Sequence, residues 1–166
     1  MFVFTVKSGL KSKKAKVLLC ATALVLCLFI VFVGVSVVDY TPKSKASIDG
    51  FGEYSTVVKT EEQAKQFAQQ FFEVEQLYTL QEVYVPVTFN DRYEQYNQLQ
   101  KAQGLDLEPY KGEKCRLYMY LLADFEAENE QAFMSVMVYR DRVIGGDISA
   151  LKDGAQWYTF NGEQVQ

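Results

Sequence analysis

The chain has 166 residues, of which 49% are hydrophobic and 23% charged, and it contains no histidine. Without histidine, Ser/His and Cys/His catalytic pairs and the commonest zinc ligand are excluded. The formal net charge of −4 is unevenly divided: residues 1–38 hold five Lys and no acidic residue, whereas the remainder holds 12 basic against 21 acidic residues. Phosphates would repel this acidic remainder, so nucleic-acid binding is not expected.

The first predicted element is a transmembrane helix over residues 17–38. This run has 22 uncharged residues, 15 of them Val, Leu, Ile or Phe. At about 1.5 Å per residue, a helix of that length covers roughly the 30 Å of bilayer hydrocarbon. The lysines in residues 1–16 predict a cytoplasmic basic tail. Residues 17–38 would then be a signal-anchor in the cell membrane, and the chain after Asp39 would be extracytoplasmic. A cleaved signal peptide ending near Gly34-Val35-Ser36 is the alternative.

Residues 39–55 are rich in Ser, Thr, Gly and Lys, which predicts a linker, and the domain is expected over residues 56–166. Its first helix is predicted over TEEQAKQFAQQFFEVE, with Thr60 as N-cap and Gln63 in the capping-box position. Apolar residues recur at the spacing of one buried helix face, namely at Ala64, Phe67, Ala68, Phe71 and Phe72. The domain holds one cysteine, so packing rather than a disulfide must stabilise it.

The rest of the domain is predicted as strand, helix and then strands. LQEVYVPV alternates as a short strand stopped by Pro86, and TFNDRYEQYNQLQKAQG is a helix between a Thr88 cap and a Gly104 stop. The period then changes to two in EKCRLYMYLLADF, QAFMSVMVYR and RVIGGDIS, with QWYTF as a last short strand. The first of these strands places Cys115, Leu117, Met119 and Leu121 on one face. This order predicts an α+β domain with two helices packed on one face of an antiparallel sheet.

Several of these segments resemble a known family. The runs VYVPVTF, YEQYNQLQKAQGLDLEPYKG, CRLYMYLL and VYRDRVIGGDIS, within roughly residues 80–150, are similar to small extracytoplasmic proteins of Gram-positive anaerobes grouped as domain of unknown function 4830. The resemblance implies a membrane-anchored or secreted setting. It supplies no activity, ligand, cofactor or catalytic residue.

Two groups of residues in the second half of the domain could take part in ligand binding or catalysis. Gly145-Gly146-Asp147 lacks the strand-loop-helix context of a phosphate loop, so it predicts a bulge in an edge strand where another backbone comes close. Asp106 and Asp147 could form a carboxylate pair that divides acid and base roles, which would make the domain an envelope hydrolase. Asp106 is more simply explained by local turn hydrogen bonds. Cys115 is expected to be a buried strand residue, because no histidine exists to activate it.

The second helix offers the candidate binding surface. Tyr93, Tyr96, Asn97 and Gln100 place aromatic rings beside amide groups, a combination that suits peptide or glycan contacts. The alternative is that the aromatic residues pack on the sheet. The sequence thus favours a membrane-tethered interaction or ligand-binding module for a peptide, a cell-wall component or a partner protein, with no catalytic set, metal or cofactor. The carboxylate-dependent hydrolase is the alternative function.

Overall fold

The computed structural model describes residues 42–164 of the chain. The predicted basic tail, the predicted transmembrane helix and the beginning of the predicted linker lie outside these residues. Within the described range, no helix is both long and apolar enough to cross a membrane.

The described residues form an α+β domain, as predicted. An N-terminal hairpin precedes a four-stranded antiparallel sheet in which each strand pairs with the next along the chain. A single 3₁₀ turn, Glu108–Tyr110, follows the second helix. The elements in order are β1 (Lys45–Ile48), β2 (Gly52–Ser55), α1 (Glu61–Ala68), β3 (Val74–Tyr84), α2 (Asp91–Ala102), β4 (Lys114–Ala127), β5 (Glu130–Tyr139) and β6 (Arg142–Ala150).

Two tight turns build the sheet. Both central residues of each turn have positive φ: 55° and 60° at Glu128 and Asn129, and 43° and 63° at Arg140 and Asp141. Such two-residue turns match the right-handed twist of the strands that they join. They connect β4 to β5 and β5 to β6.

The predicted cap of α1 is confirmed, but the helix is shorter than predicted. Thr60 Oγ1 accepts a hydrogen bond from the Gln63 amide at 3.2 Å, and Gln63 Oε1 in turn accepts from the Lys59 amide at 2.8 Å. The helix ends at Ala68, because the chain turns there toward β3. The turn still brings the rings of Phe71 and Phe72, predicted to be helical, against the core.

The second helix begins two residues later than predicted. Its N-cap is Asn90, not Thr88: Asn90 Oδ1 accepts from the Tyr93 amide at 2.9 Å. A capping side chain typically accepts a hydrogen bond from the backbone amide two or three residues later, which has no partner within the helix. Gly104 ends the helix as predicted, with a φ of +74° that favours glycine.

Alternate residues of the sheet form two different faces. The closed face consists of Tyr118, Tyr120, Leu122, Met134, Val136 and Ile148, which pack with α1 and the hairpin. The cavity face consists of Cys115, Leu117, Met119, Ser135, Met137 and Asp147, on the opposite side. The predicted alternation of Cys115, Leu117, Met119 and Leu121 is confirmed.

The two helices pack against opposite faces, so the prediction of one shared face is wrong. Ala64 and Phe67 of α1 join the closed-face core, whereas Tyr93 and Tyr96 of α2 pack against the other cluster. The reason lies in β5, in which every residue of the range 132–139 is buried. A strand that is apolar on both sides needs a cover on both sides.

The N-terminal hairpin falls within the segment predicted as a linker. Ala46, Ile48 and Tyr54 are buried in the closed-face core, and the Tyr54 hydroxyl donates to the Gln103 carbonyl at 2.6 Å. Its polar residues point outward in alternation with these buried ones, which explains the linker-like composition. The folded domain therefore includes residues from Lys45 onward.

The segment after β6 is less regular than predicted. In QWYTF only Tyr158 pairs with β6, through two 2.9 Å backbone hydrogen bonds with Ile148. Phe160 then turns into the core with no exposed surface and contacts the rings of Tyr54 and Phe67. This segment closes the core without extending the sheet.

Candidate ligand-binding cavity

An open cavity of about 510 Å³ lies between α2 and the cavity face. Its sheet side is lined by apolar residues such as Leu117, Met119 and Met137, and its walls include the rings of Tyr93, Tyr96 and Trp157. Small-molecule sites typically have volumes of roughly 300–1,000 Å³, mostly apolar walls and a few polar groups. The cavity has the size and the lining of such a site.

A buried carboxyl group forms the polar floor of the cavity. Asp147, only 6% exposed, accepts hydrogen bonds at Oδ1 from the Tyr96 hydroxyl at 2.9 Å and from the Ser135 hydroxyl. Its Oδ2 accepts from the Ser149 hydroxyl at 2.8 Å. The Asp147 amide in turn donates to Ser135 Oγ at 3.2 Å. Three hydroxyl groups from α2, β5 and β6 therefore orient one carboxylate.

The electrostatics of this floor follow from its burial. Burial raises the pKa of Asp147 above its ordinary value, and the hydrogen bonds from Ser135, Ser149 and Tyr96 oppose that rise. Burial also raises the pKa of Tyr96, and the neighbouring Asp147 carboxylate raises it further. Within residues 42–164, the ion pairs do not include Asp147. Its side-chain partners in the described residues are hydroxyl groups rather than a cationic group.

The outer wall of the cavity is an aromatic stack with an arginine at its edge. The Trp157 ring lies 5.0 Å from the Tyr96 ring, and the Arg92 guanidinium lies 5.0 Å from the centre of the same indole. Arg92 and Tyr96 are four residues apart on α2 and therefore share one side of the helix. The helix thus holds Trp157 against the cavity and places a cation at the rim.

A buried amide network holds α2 against β6. Gln100 Oε1 accepts from the Gly146 amide at 2.9 Å, and Gln103 Nε2 donates to the Gly146 carbonyl at 3.0 Å. Gln103 Oε1 also accepts from the Phe160 amide at 2.6 Å. These bonds tie the helix to both the edge strand and the closing segment. They fix the height of Tyr96 above Asp147.

The predicted bulge lies where α2 crosses the edge strand. The pairing register of β5 and β6 shifts between Met137 and Val138, which leaves Ile144 as the extra residue. A side chain at Gly145 would place its Cβ 2.9 Å from a Leu107 methyl carbon. At Gly145 the close neighbours are thus side chains, whereas a Cβ at Gly146 would clash with the backbone carbonyl oxygen of Ser135. The predicted bulge is confirmed, and the predicted close backbone lies at Gly146.

The four residues predicted to bind a ligand divide into two pairs. Tyr93 and Tyr96 are partly exposed and line the cavity. Asn97 and Gln100 are fully buried, and their amides bond within the domain. Asn97 accepts from the Leu107 amide at 2.8 Å and donates to Asp106 at 2.9 Å. These two residues therefore position the helix and the following loop and do not line the cavity.

Sequence reasoning missed most of the polar groups of the site. These are Arg92, Ser135, Ser149 and Trp157, together with the role of Asp147. A signal was present in the sequence: Asp147 and Ser149 are polar residues two apart in an otherwise apolar strand, β6. Ser135 is a polar residue in the apolar strand β5 and pairs with Asp147. Polar groups at buried strand positions need partners, and here they are one another's partners.

Of the predicted carboxylate pair, Asp147 lines the cavity and Asp106 does not. Asp106 accepts from the Glu108 amide at 3.0 Å, which confirms the predicted local turn. Asp147 is the one acidic residue among those that line the cavity. The described residues also contain no group of three or more Cys, Asp or Glu that could hold a metal ion. Cys115 is buried as predicted, and burial raises the pKa of its thiol to about 11.

Fold and site together define a small α+β domain with a ligand-sized cavity between one helix and an antiparallel sheet. Residues 67–148 match the model of a family described as Domain of unknown function (DUF4830), so this part of the chain is similar to that family. The match confirms the resemblance seen in the sequence. It covers the four sheet strands up to Ile148 and all of α2, whereas Ser149 and Trp157 lie beyond it. No curated protein and no solved structure matches the chain.

Proposed function

We propose that the domain is a ligand-binding module and that the cavity between α2 and the sheet is its binding site. The observation that carries the proposal is the buried Asp147 carboxylate, held by three hydroxyl groups at the floor of an open cavity with aromatic walls. Binding sites combine apolar walls with a few oriented polar groups in this way.

The arrangement is costly for a purely structural element. Protein interiors are close-packed, and an unfilled space reduces the contacts of the atoms that line it. A buried carboxylate loses the stabilisation that hydration provides, and hydrogen bonds from hydroxyl groups replace only part of it. The closed face of the same sheet shows that this chain can fill the space beside a strand completely. An open cavity over an oriented charge is therefore better explained by a ligand.

The proposed setting is the outer side of the cell membrane. The uncharged run at residues 17–38, with five lysines before it, supports a single-pass anchor that leaves the domain extracytoplasmic. A ligand from that compartment would be a peptide, a cell-wall component or part of a partner protein. Protease added to intact cells stripped of their wall should digest the chain after Asp39. Protection of the domain in that assay contradicts the orientation.

The chain provides its own reporter for the binding test. Trp157 is the one tryptophan in the sequence, and its ring lies in the cavity wall. Titration of the purified full chain with a set of amino acids, dipeptides, amines and amino sugars should produce a saturable change in tryptophan fluorescence for at least one class.

A filled cavity tests whether that response arises at the proposed site. The double substitution Leu117→Phe with Met119→Phe adds volume to the cavity face, and Leu80→Phe, at a position 44% exposed on β3, is the matched control. We expect the filled variant to lose the response and the control to keep it. An unchanged response in the filled variant, or no response from the wild type to any class, contradicts the proposal.

A further inference from the structure

We infer that the ligand of this cavity carries a positively charged amino group, which lies against the Asp147 carboxylate. This inference rests on the proposed binding function and specifies its ligand class. It follows from the charge of the floor, the chemistry of the walls and the size of the space.

The hydrogen bonds at the floor fit an ionised carboxylate that lacks a counter-ion. Three hydroxyl groups donate to Asp147, two at Oδ1 and one at Oδ2. An ionised carboxylate only accepts hydrogen bonds and has about four acceptor positions, so one position at Oδ2 remains for a further donor. Among the described ion pairs, none reaches this side chain. A buried charge is normally paired, and a cation from outside would complete the pair.

The aromatic walls favour the same charge. Tyr93 and Tyr96 lie 5.6 Å apart, and Trp157 lies 5.0 Å beyond Tyr96. The faces of aromatic rings attract cations, and recognition of ammonium groups commonly uses several such rings. Arg92, which also lines the cavity, already holds its guanidinium over the indole of Trp157 at 5.0 Å, so Tyr93 and Tyr96 are the rings that remain for the ammonium group of a ligand.

The apolar part of the cavity defines the rest of the ligand. Leu117, Met119 and Met137 line the side toward the sheet and offer contacts to methylene groups rather than to polar atoms. An ammonium on a short alkyl stem matches both parts, because the stem lies on these side chains while the charge reaches the floor. A free amine and the side chain of a lysine within a peptide share this chemistry.

Four probes test the charge preference in the wild-type full chain, with Trp157 fluorescence as the readout. They are n-butylamine, Nα-acetyl-lysine-N-methylamide, the neutral 1-butanol and the anionic butyrate. We expect both amines to bind about tenfold more tightly than 1-butanol, as one charge-assisted hydrogen bond predicts, and butyrate to bind least. Tighter binding of the lysine derivative than of butylamine would identify a peptide as the source, and equal binding a free amine.

Asp147→Asn tests the assigned partner, with Glu94→Gln as the matched control. Glu94 is exposed on α2, so its substitution removes one negative charge without touching the floor. We expect Asp147→Asn to reduce amine affinity about tenfold and to leave 1-butanol unchanged, and Glu94→Gln to change neither. Equal reduction by both variants would assign the preference to net charge and overturn the inference.

The wild-type comparison decides the question even if Asp147→Asn fails to fold. Binding of 1-butanol or butyrate as tight as that of the amines overturns the inference but leaves a ligand-binding cavity in place. No saturable response to any of the four probes also overturns it. The filled-cavity comparison with the wider set of compounds then decides separately whether the domain binds ligands at this site.

Discussion

The two faces of the sheet use the same strands in opposite ways. On the closed face, the rings of Tyr54, Phe67, Phe71 and Phe160 pack with centroids 5.1–6.3 Å apart, four of the six pairs edge to face and two tilted. On the cavity face, the corresponding space is open and ends at a carboxylate held by hydroxyl groups. Because neighbouring residues of one strand serve both faces, stability and binding can be altered by substitutions only one residue apart.

The largest effect is expected from a substitution in the core of the closed face. Phe160→Ala removes a fully buried ring at the centre of the aromatic cluster, and such truncations typically cost about 3–5 kcal/mol of unfolding free energy. Chemical denaturation measures the loss. The matched control, Phe51→Ala, truncates a ring that is 42% exposed and should cost far less. Equal losses in the two variants would show that Phe160 has no central role.

The next largest effect is expected from a substitution in the buried amide network that connects the two faces. Gln103→Leu removes the acceptor of the Phe160 amide and the donor to the Gly146 carbonyl. Each buried polar group left without a partner costs about 1–3 kcal/mol, so a loss of about 2 kcal/mol or more is expected in denaturation. Gln98→Leu, at an exposed position of α2, is the control and should be nearly neutral. A loss confined to Gln98→Leu would contradict the network.

A smaller effect is expected in the pH dependence of stability, which distinguishes the carboxyl group of the cavity face from the apolar closed face. Folding raises the pKa of Asp147, so its contribution to stability is fully present below the ordinary value of 3.8 and is lost as pH rises through the folded pKa. Asp147→Asn does not ionise and escapes that loss. The variant should therefore gain stability relative to the wild type as pH rises. Melting temperatures of both proteins between about pH 3 and 7 measure the difference; a constant difference contradicts the raised pKa.

The smallest effect concerns the wall of the cavity. Trp157→Phe retains an aromatic ring at a partly exposed position and weakens the contact with Arg92, a kind of contact worth about 0.5–1 kcal/mol at exposed sites. A change in unfolding free energy of that size or less is expected, measured by circular dichroism. A loss as large as that of Phe160→Ala would make Trp157 a core residue rather than part of a binding wall.

Features that depend on neighbouring residues could be predicted from the sequence. The Thr60 cap, the alternation around Cys115 and the bulge at Gly145 follow from local spacing, and the structure confirms all three. The buried hairpin could not be predicted in this way. The burial of Tyr54 depends on Phe67, Gln103 and Phe160, which local composition does not place nearby.

The candidate site was predictable only in part for the same reason. Tyr93 and Tyr96 were found because they share one side of a helix. Asp147 gains its role from Tyr96, which is 51 residues away in the sequence, and no periodicity reports such a pairing. Asn97 and Gln100 are predicted to contact a ligand because their amides lie beside aromatic rings, whereas in the structure these amides satisfy buried backbone groups.

The ring contact between Tyr54 and Phe160 also constrains the order of folding. Strands β4, β5 and β6 pair with their sequence neighbours through two-residue turns, and such local pairing closes small loops at low entropic cost. The aromatic cluster joins opposite ends of the described region, so its loop closes over nearly the whole domain, and contacts of that kind slow folding. During synthesis the hairpin, α1 and the sheet can therefore pack before Phe160 is available. The part of the apolar core that Phe160 covers stays open to other chains until this residue has left the ribosome.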